Sequence, residues 1–298
     1  MTEIDKKPSA NIPIPMLATK AAVRRQVAQW RGEGNIIALV PTMDALHAGH
    51  LSLVETARKH CDRVIVSIFV NPAQFGPNED FDQYPRNEAA DIEALGQVGA
   101  DAVYVPSVKE IYGTNDDGFS TSIRVNCISE VMEGAVRPSH FDGVALVVTK
   151  LLLQSMPDMA VFGEKDYQQL QVIKRLVKDL DIPVGILASP LIRQPDGVAM
   201  SSRNAYLKEE QKSIAPKLNK TLRTVSEKIK ARPADVTEIL DWGTAELLSN
   251  GFDEVDYLDL RDPDSLTRLT SADGKTARLI ATVRLGSVRL LDNIEVTS

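Results

Sequence analysis

The chain has 298 residues, 43% hydrophobic and 25% charged, with a formal net charge of −7. That is ordinary globular composition, long enough for two domains. The acidic balance, with no basic stripe, excludes general nucleic-acid affinity. No apolar run reaches the roughly 18 residues that a membrane-spanning helix needs.

The chain opens on "MTEIDKKPSANIPIPM". This polar, proline-rich stretch lacks the apolar segment of a signal peptide and reads as a flexible arm. Cys61 and Cys127 are the two cysteines. Without a CxxC they fit a reducing cytoplasm, and both read as core thiols.

Residues 20–32 carry a helical pattern, and "NIIALV" (35–40) reads as a buried strand. "VPTMDALHAGHLSLVETA" follows (40–57), leading into a helix over 50–60. The first amides of a helix point outward unpaired, and its dipole favours an anion there. His47 and His50 flank Gly49 at this corner, so imidazole donors and a close backbone approach converge on one phosphate-sized place. A metal site is the weaker reading, because no third ligand stands at recognisable spacing. No GxxxxGK[ST] loop occurs.

"RVIVSIFV" (63–70) is the next strand, and "FVNPAQF" (69–75) leaves its end with Asn71 and Gln74. These neutral amides can orient a hydroxylated or carboxylated substrate. Alternatively, Asn-Pro simply starts a turn. A helix over 88–98 and a strand over 100–106 come next. "RPSHFDG" then offers Arg137 and His140, which taken alone read as a surface loop.

A helix over 144–155, a strand over 158–163 and a helix over 166–180 complete the alternation. At "GEKDYQQL" (163–170), Lys165 can pair with phosphate, and Asp166 can hold Mg²⁺ or cap the helix. In "MSSRN" (200–204), two hydroxyls and a guanidinium suit a polyphosphate, although a serine-rich turn explains them as well. Amphipathic helices over 208–231 and 234–250 follow, and then the strands "VDYLDLRD" and "ARLIATVRLGSVRLLDNIEV".

Strand–helix alternation with continuous apolar strands predicts a Rossmann-like, doubly wound parallel sheet of α/β class, followed by a smaller α+β domain. The expected boundaries are 1–192 and 193–298. Ligands bind such sheets at the strands' carboxyl edge, where "PTMDALHAGH", "FVNPAQF" and "FGEKDYQQ" all begin. No hydrolase triad or carboxylate pair stands out. Nucleotide triphosphate chemistry by positioning and charge stabilisation fits best.

With "PTMDALHAGHLSLV", "VSIFVNPAQF", "YPR", "PSVKEIY", "EGAVRPSHFDGV", "FGEKDYQQL", "MSSRN" and "RLLDN" in order, the chain resembles the pantoate–β-alanine ligases (pantothenate synthetases) of the HxGH nucleotidyltransferase superfamily. The resemblance implies ATP-dependent ligation of pantoate and β-alanine through a pantoyl adenylate, with Mg²⁺, in a cytoplasmic homodimer. It implies that the ATP site is lined by Met43, Asp44, Ala45, Leu46, His47, Ala48, Gly49 and His50. Gly163, Glu164, Lys165, Asp166, Ile192, Met200, Ser201, Ser202 and Arg203 would complete it. Asn71, Gln74, Arg137, His140 and Gln169 would hold pantoate, and Gln74 also β-alanine. His47, His50 and Lys165 would be catalytic, with residues 193–298 as a lid.

Three positions depart from the family pattern. Ser139 stands in place of a glycine, and Ala145 in place of a small hydroxylated residue. Asp44 also replaces a glycine, beside the nucleotide; a carboxylate ~5 Å from a phosphate charge costs roughly 3 kcal/mol at an effective dielectric of 20. Two other readings remain at this point. One is adenylyl transfer to a different acceptor, and the other is a nucleotide-binding protein without catalysis.

Overall fold

A computed structural model of the chain describes residues 14–43, 45–76, 87–113, 120–274 and 276–297. Asp44, residues 1–13 of the N-terminal arm and "YPR" (84–86) lie outside the described residues, whereas the end of the arm, Met16, is in a strand.

Six strands form one sheet: β1 (Met16–Leu17), β2 (Ile37–Thr42), β3 (Arg63–Ile68), β4 (Ala102–Tyr104), β5 (Met159–Gly163) and β6 (Gly185–Ser189). Their order is β1-β4-β3-β2-β5-β6, and every pairing is parallel. The order reverses between β2 and β5, which opens a crevice at their carboxyl ends.

The alternation within β2 explains why the strands read as continuous apolar runs. Ile37 and Leu39 pack with α1 (Lys20–Gly32), α6 (His140–Ser155) and α7 (Tyr167–Asp179). Ala38 and Val40 point the other way, onto α2 (Ala48–Arg58) and α3 (Glu88–Gln97). Two short helices, α4 (Val108–Tyr112) and α5 (Glu133–Val136), stand between α3 and α6 in the chain. Successive strand residues face opposite layers, and both layers are dry.

A second sheet is antiparallel, in the order β7 (Glu254–Arg261), β8 (Thr276–Leu285), β9 (Val288–Thr297). One face carries Leu279, Ala281 and Val283 against α9 (Pro216–Ala231) and α10 (Val236–Ser249). The opposite face places Ile280, Tyr257 and Leu291 in the core of the parallel sheet. The second sheet is therefore docked, not tethered.

Two expectations shift. The single helix over 208–231 is two helices, α8 (Glu209–Ile214) and α9, because Pro216 lacks an N–H and starts a new helix at its first turn. Cys127 is exposed, at φ 67, and is not a core thiol; Cys61 is buried.

Candidate functional site

The corner after β2 is built by the two histidines themselves. His47 is the N-cap of α2, and its Nδ1 accepts the Gly49 N–H at 3.1 Å. His50 Nδ1 accepts the His47 N–H at 3.4 Å, closing a capping box in which imidazoles do the work usually given to hydroxyl and carboxylate groups. The rings stack, centroids 4.0 Å apart. A side chain at Gly49 would meet the His47 ring at 2.9 Å, so glycine belongs between them.

Both rings are neutral. Burial, and after it the Lys165 ammonium, lowers His47 to about 4 against the opposing pull of Asp166. Burial, then His47 and Lys165, lowers His50 to about 3. Since each Nδ1 accepts a hydrogen bond, each proton sits on Nε2. The corner offers two neutral N–H donors, not imidazolium charge.

Positive charge comes from the switch-point partner. β5 ends at Gly163, and a short 3₁₀ turn, Glu164–Asp166, carries Lys165, whose Nζ lies 3.1 Å from Asp166 Oδ1. Desolvation opposes charge on Asp166, but the Lys165 ammonium, as charge and as hydrogen-bond donor, followed by Arg203, outweighs it and holds the carboxyl below its usual range. Asp166 makes no side-chain cap to α7. Its side chain keeps 49% of its surface exposed, so the ion pair is solvent-screened and open to exchange for a ligand.

A cavity of about 220 Å³ brings together Met43, His47, Gly49, His50, Gln74, Gly163, Lys165, Asp166, Gln169, Ile192 and residues 200–203. Arg137 and His140 also line it. A neighbouring cavity of about 770 Å³ shares Lys165, Asp166, Gln169, Ser201 and Arg203 with it and continues along the second sheet. Ser201 Oγ accepts the Arg203 N–H at 3.3 Å, capping the 3₁₀ turn Ser202–Tyr206. The "MSSRN" loop is thus a capped turn, and residues 200–203 face the cleft.

Five expected contacts are placed elsewhere. Asn71 is fully buried, and its amide is committed. Nδ2 donates to Gln74 Oε1 (3.0 Å) and Gly143 O (3.1 Å), while Oδ1 accepts from Ala73 N (3.2 Å) and Tyr112 Oη (2.6 Å). Asn71 therefore orients Gln74 instead of lining the cavity. Glu164 lines neither cavity; its carboxylate pairs with Arg278 at 3.0 Å. Leu46 packs against the core, and Asp91 Oδ1 accepts its N–H at 2.9 Å. Ala45, at φ 51, and Ala48 also lie outside both cavity walls.

Several polar residues at the site were given no role from sequence. Asn293 Nδ2 donates to the carbonyls of Glu164 and Lys165, each at 2.9 Å, fixing the turn that carries Lys165. Arg193 forks onto Asp292 at 2.7 and 2.8 Å, tying the 193–199 loop to β9. Tyr112, Glu133 and Arg289 complete the set. Their partners are distant in sequence; Tyr112, Glu133, Arg289 and Asn293 lie within "PSVKEIY", "EGAVRPSHFDGV" and "RLLDN", stretches that carry the resemblance but give these residues no role.

A family model described as pantoate-beta-alanine ligase matches residues 15–295. The pantothenate synthetase of Rhodospirillum rubrum is 52% identical over 283 residues, covering 95% of this chain and 99% of the relative. That of Paramagnetospirillum magneticum is 50% identical, covering 95% and 98%. Among solved structures, pantothenate synthetase from Thermus thermophilus superposes with a TM-score of 0.88 at 40% identity, covering 96% of this chain and 100% of that one. Pantoate-beta-alanine ligase from Francisella tularensis, complexed with beta-gamma ATP and beta-alanine, gives 0.76 at 36% identity, covering 94% and 97%. By sequence and by fold, the chain belongs to the pantoate–β-alanine ligase family.

Proposed function

We propose that the protein joins pantoate to β-alanine through a pantoyl adenylate, converting ATP to AMP and pyrophosphate. The observation that carries this reading is the pair of neutral Nε2–H donors at the α2 N-terminus, placed in one cavity wall with Lys165 and the Ser201–Arg203 turn. In the first step a pantoate carboxylate oxygen bonds to the α-phosphorus, and the bond to the β-phosphate oxygen breaks. His47 and His50 donate to the phosphate oxygens as charge builds, and Lys165 supplies the balancing cation. Gln74 and Gln169 hold pantoate in line. In the second step the β-alanine amine bonds to the acyl carbon and loses a proton, and AMP departs. Closing the cleft keeps water from the adenylate.

Mg²⁺ supplies charge neutralisation to the triphosphate when bound. Among the described residues no cluster of three or more His, Cys, Asp or Glu is placed to hold a metal. Asp166, kept ionised and half exposed, fits a cation carried mainly by phosphate oxygens. We also assign residues 1–192 to substrate and nucleotide binding and 193–298 to a lid. The family resemblance supports a homodimer, which sedimentation tests, and two unpaired cysteines fit a cytoplasmic protein.

Incubation with ATP, Mg²⁺, pantoate and β-alanine should give pantothenate, AMP and pyrophosphate in equal amounts. Without β-alanine, pantoate-dependent exchange of labelled pyrophosphate into ATP should persist. Formation of ADP and phosphate would point to an acyl phosphate instead and overturn the adenylate.

A further inference from the structure

The second sheet reaches the substrate-acid end of the site from behind. Arg289, on β9, donates Nη1 to Glu133 Oε1 at 2.6 Å and Nη2 to Glu133 Oε2 at 3.0 Å. Its Nε donates to Asp256 Oδ2 at 2.7 Å, and Asp256 is anchored in turn by Arg284 at 2.9 Å. One carboxylate thus aims the guanidinium at the other, and the fork takes up both Glu133 oxygens.

Glu133 passes the constraint on. Its Oε1 also accepts from Arg137 Nη1 at 3.3 Å. Arg137 Nη2 then donates to the Gln74 carbonyl at 3.2 Å. His140 Nδ1 lies 2.9 Å from the same oxygen, and because a carbonyl only accepts, Nδ1 carries the proton. Its Nε2 is left to accept from Arg137 Nη1 at 3.3 Å. Gln74 is clamped at both ends: the carbonyl by Arg137 and His140, the side-chain Oε1 by Asn71. The Gln74 Nε2 hydrogens are what remain to meet a substrate oxygen.

We propose that Arg289 is a positioning residue for the hydroxy-acid subsite, acting through Glu133 and Arg137 to fix the main chain of Gln74. This rests on Gln74 as a pantoate contact. The C-terminal sheet then does more than cover a nucleotide, because its docking sets the direction of a group that orients the attacking carboxylate. A lysine cannot replace Arg289, since one ammonium cannot span two Glu133 oxygens and Asp256 together. A misplacement of about 1 Å at such a group is enough to cost around a hundredfold in rate.

The test compares Arg289→Lys, Glu133→Gln and the milder Tyr257→Phe, which removes only the 3.3 Å hydrogen bond to Glu133 Oε2 on this path. We expect the KM for pantoate to rise tenfold or more in the first two and about threefold in the third. The KM for ATP should stay within twofold. Amide exchange at Ala73, Gln74 and Phe75, the exchangeable amides of residues 72–75, should quicken in the same order, with or without substrates. Equal rises in all three KM values, or unchanged exchange at 72–75, overturn the relay. If the two charge variants fail to fold, Tyr257→Phe decides alone by the same criteria. A wild-type protein that forms no pantothenate, while the variants still loosen 72–75, refutes the proposed ligation and leaves the relay standing.

Discussion

His50 accepts the backbone N–H of His47, and the two rings stack 4.0 Å apart, so one motif both starts a helix and presents two donors. The fold keeps them neutral, with a pKa of about 4 for His47 and about 3 for His50. In the unfolded chain each titrates near 6.5. The unfolded state therefore binds more protons below that value, and stability falls as pH drops from about 6.5 towards 3. Above 6.5 these two groups add no pH dependence. Nitrogen NMR of the unliganded protein should show Nε2-protonated neutral rings at pH 6. A His50 midpoint near 6.5 would refute this.

Capping and donation are separable at His47. Asn is a strong N-cap, so His47→Asn should hold the helix start within about 0.5 kcal/mol, whereas His47→Ala should lose about 1 kcal/mol. Both remove the Nε2–H donor, and both should lower kcat by about 10²–10³, as loss of one preorganised donor does. Denaturant titration and steady-state kinetics on the same samples check this. Wild-type turnover in His47→Asn would make His47 a cap and nothing more.

The parallel sheet was legible because its strands are buried on both faces, as Ile37 and Leu39 against Ala38 and Val40 demonstrate. β1 and β6 were not. β1 has two residues, and β6 is a partly exposed edge strand, so neither makes an apolar run. The cleft residues near strand ends were legible for the same reason that the sheet was: topology fixes where loops converge. The supporting residues were not. Arg289 meets Glu133 across 156 positions, and no local spacing carries such a contact. Asn71 was misplaced because sequence gives its amide but not the four partners that occupy it.

Gly143 lies in α6 where the helix meets the Pro72–Gln74 turn. A Cβ there would stand 2.1 Å from the Ala73 carbonyl oxygen, 2.6 Å from its carbon and 3.0 Å from the Gln74 nitrogen, all three of them backbone atoms. Gly143→Ala must therefore move the turn. We expect a loss of about 1–3 kcal/mol in stability, typical of overpacking. We also expect kcat/KM for pantoate to drop more than tenfold, because Gln74 moves with the turn. Unchanged kinetics would mean that α6 yields instead.

Ser139 sits at φ 69, ψ −6, just before α6, and its hydroxyl makes no cap hydrogen bond. The left-handed region costs a side-chain-bearing residue about 1–2 kcal/mol. Glycine avoids this but loses about 0.5–1 kcal/mol of chain entropy. Ser139→Gly should therefore stabilise the protein by about 0.5–1 kcal/mol with activity unchanged. The backbone angle also explains why a glycine is expected where Ser139 stands. A destabilised Ser139→Gly variant would show that the serine hydroxyl contributes something the hydrogen bonds do not reveal.

Asp44 adds a negative charge to the stretch proposed above to meet the ATP polyphosphate. On charge alone, removing it should strengthen ATP binding, up to the roughly 3 kcal/mol limit for ~5 Å separation at a dielectric of 20. Lys165 and a bound cation offset part of that. Asp44→Gly should therefore lower the ATP dissociation constant several-fold. The gain should shrink as ionic strength rises past about 0.1 M, where the Debye length falls to about 10 Å. Calorimetric titration of both proteins with ATP, at low and high salt, reads this directly. A dissociation constant that Asp44→Gly leaves unchanged at low salt would show that the carboxylate's charge does not reach the triphosphate.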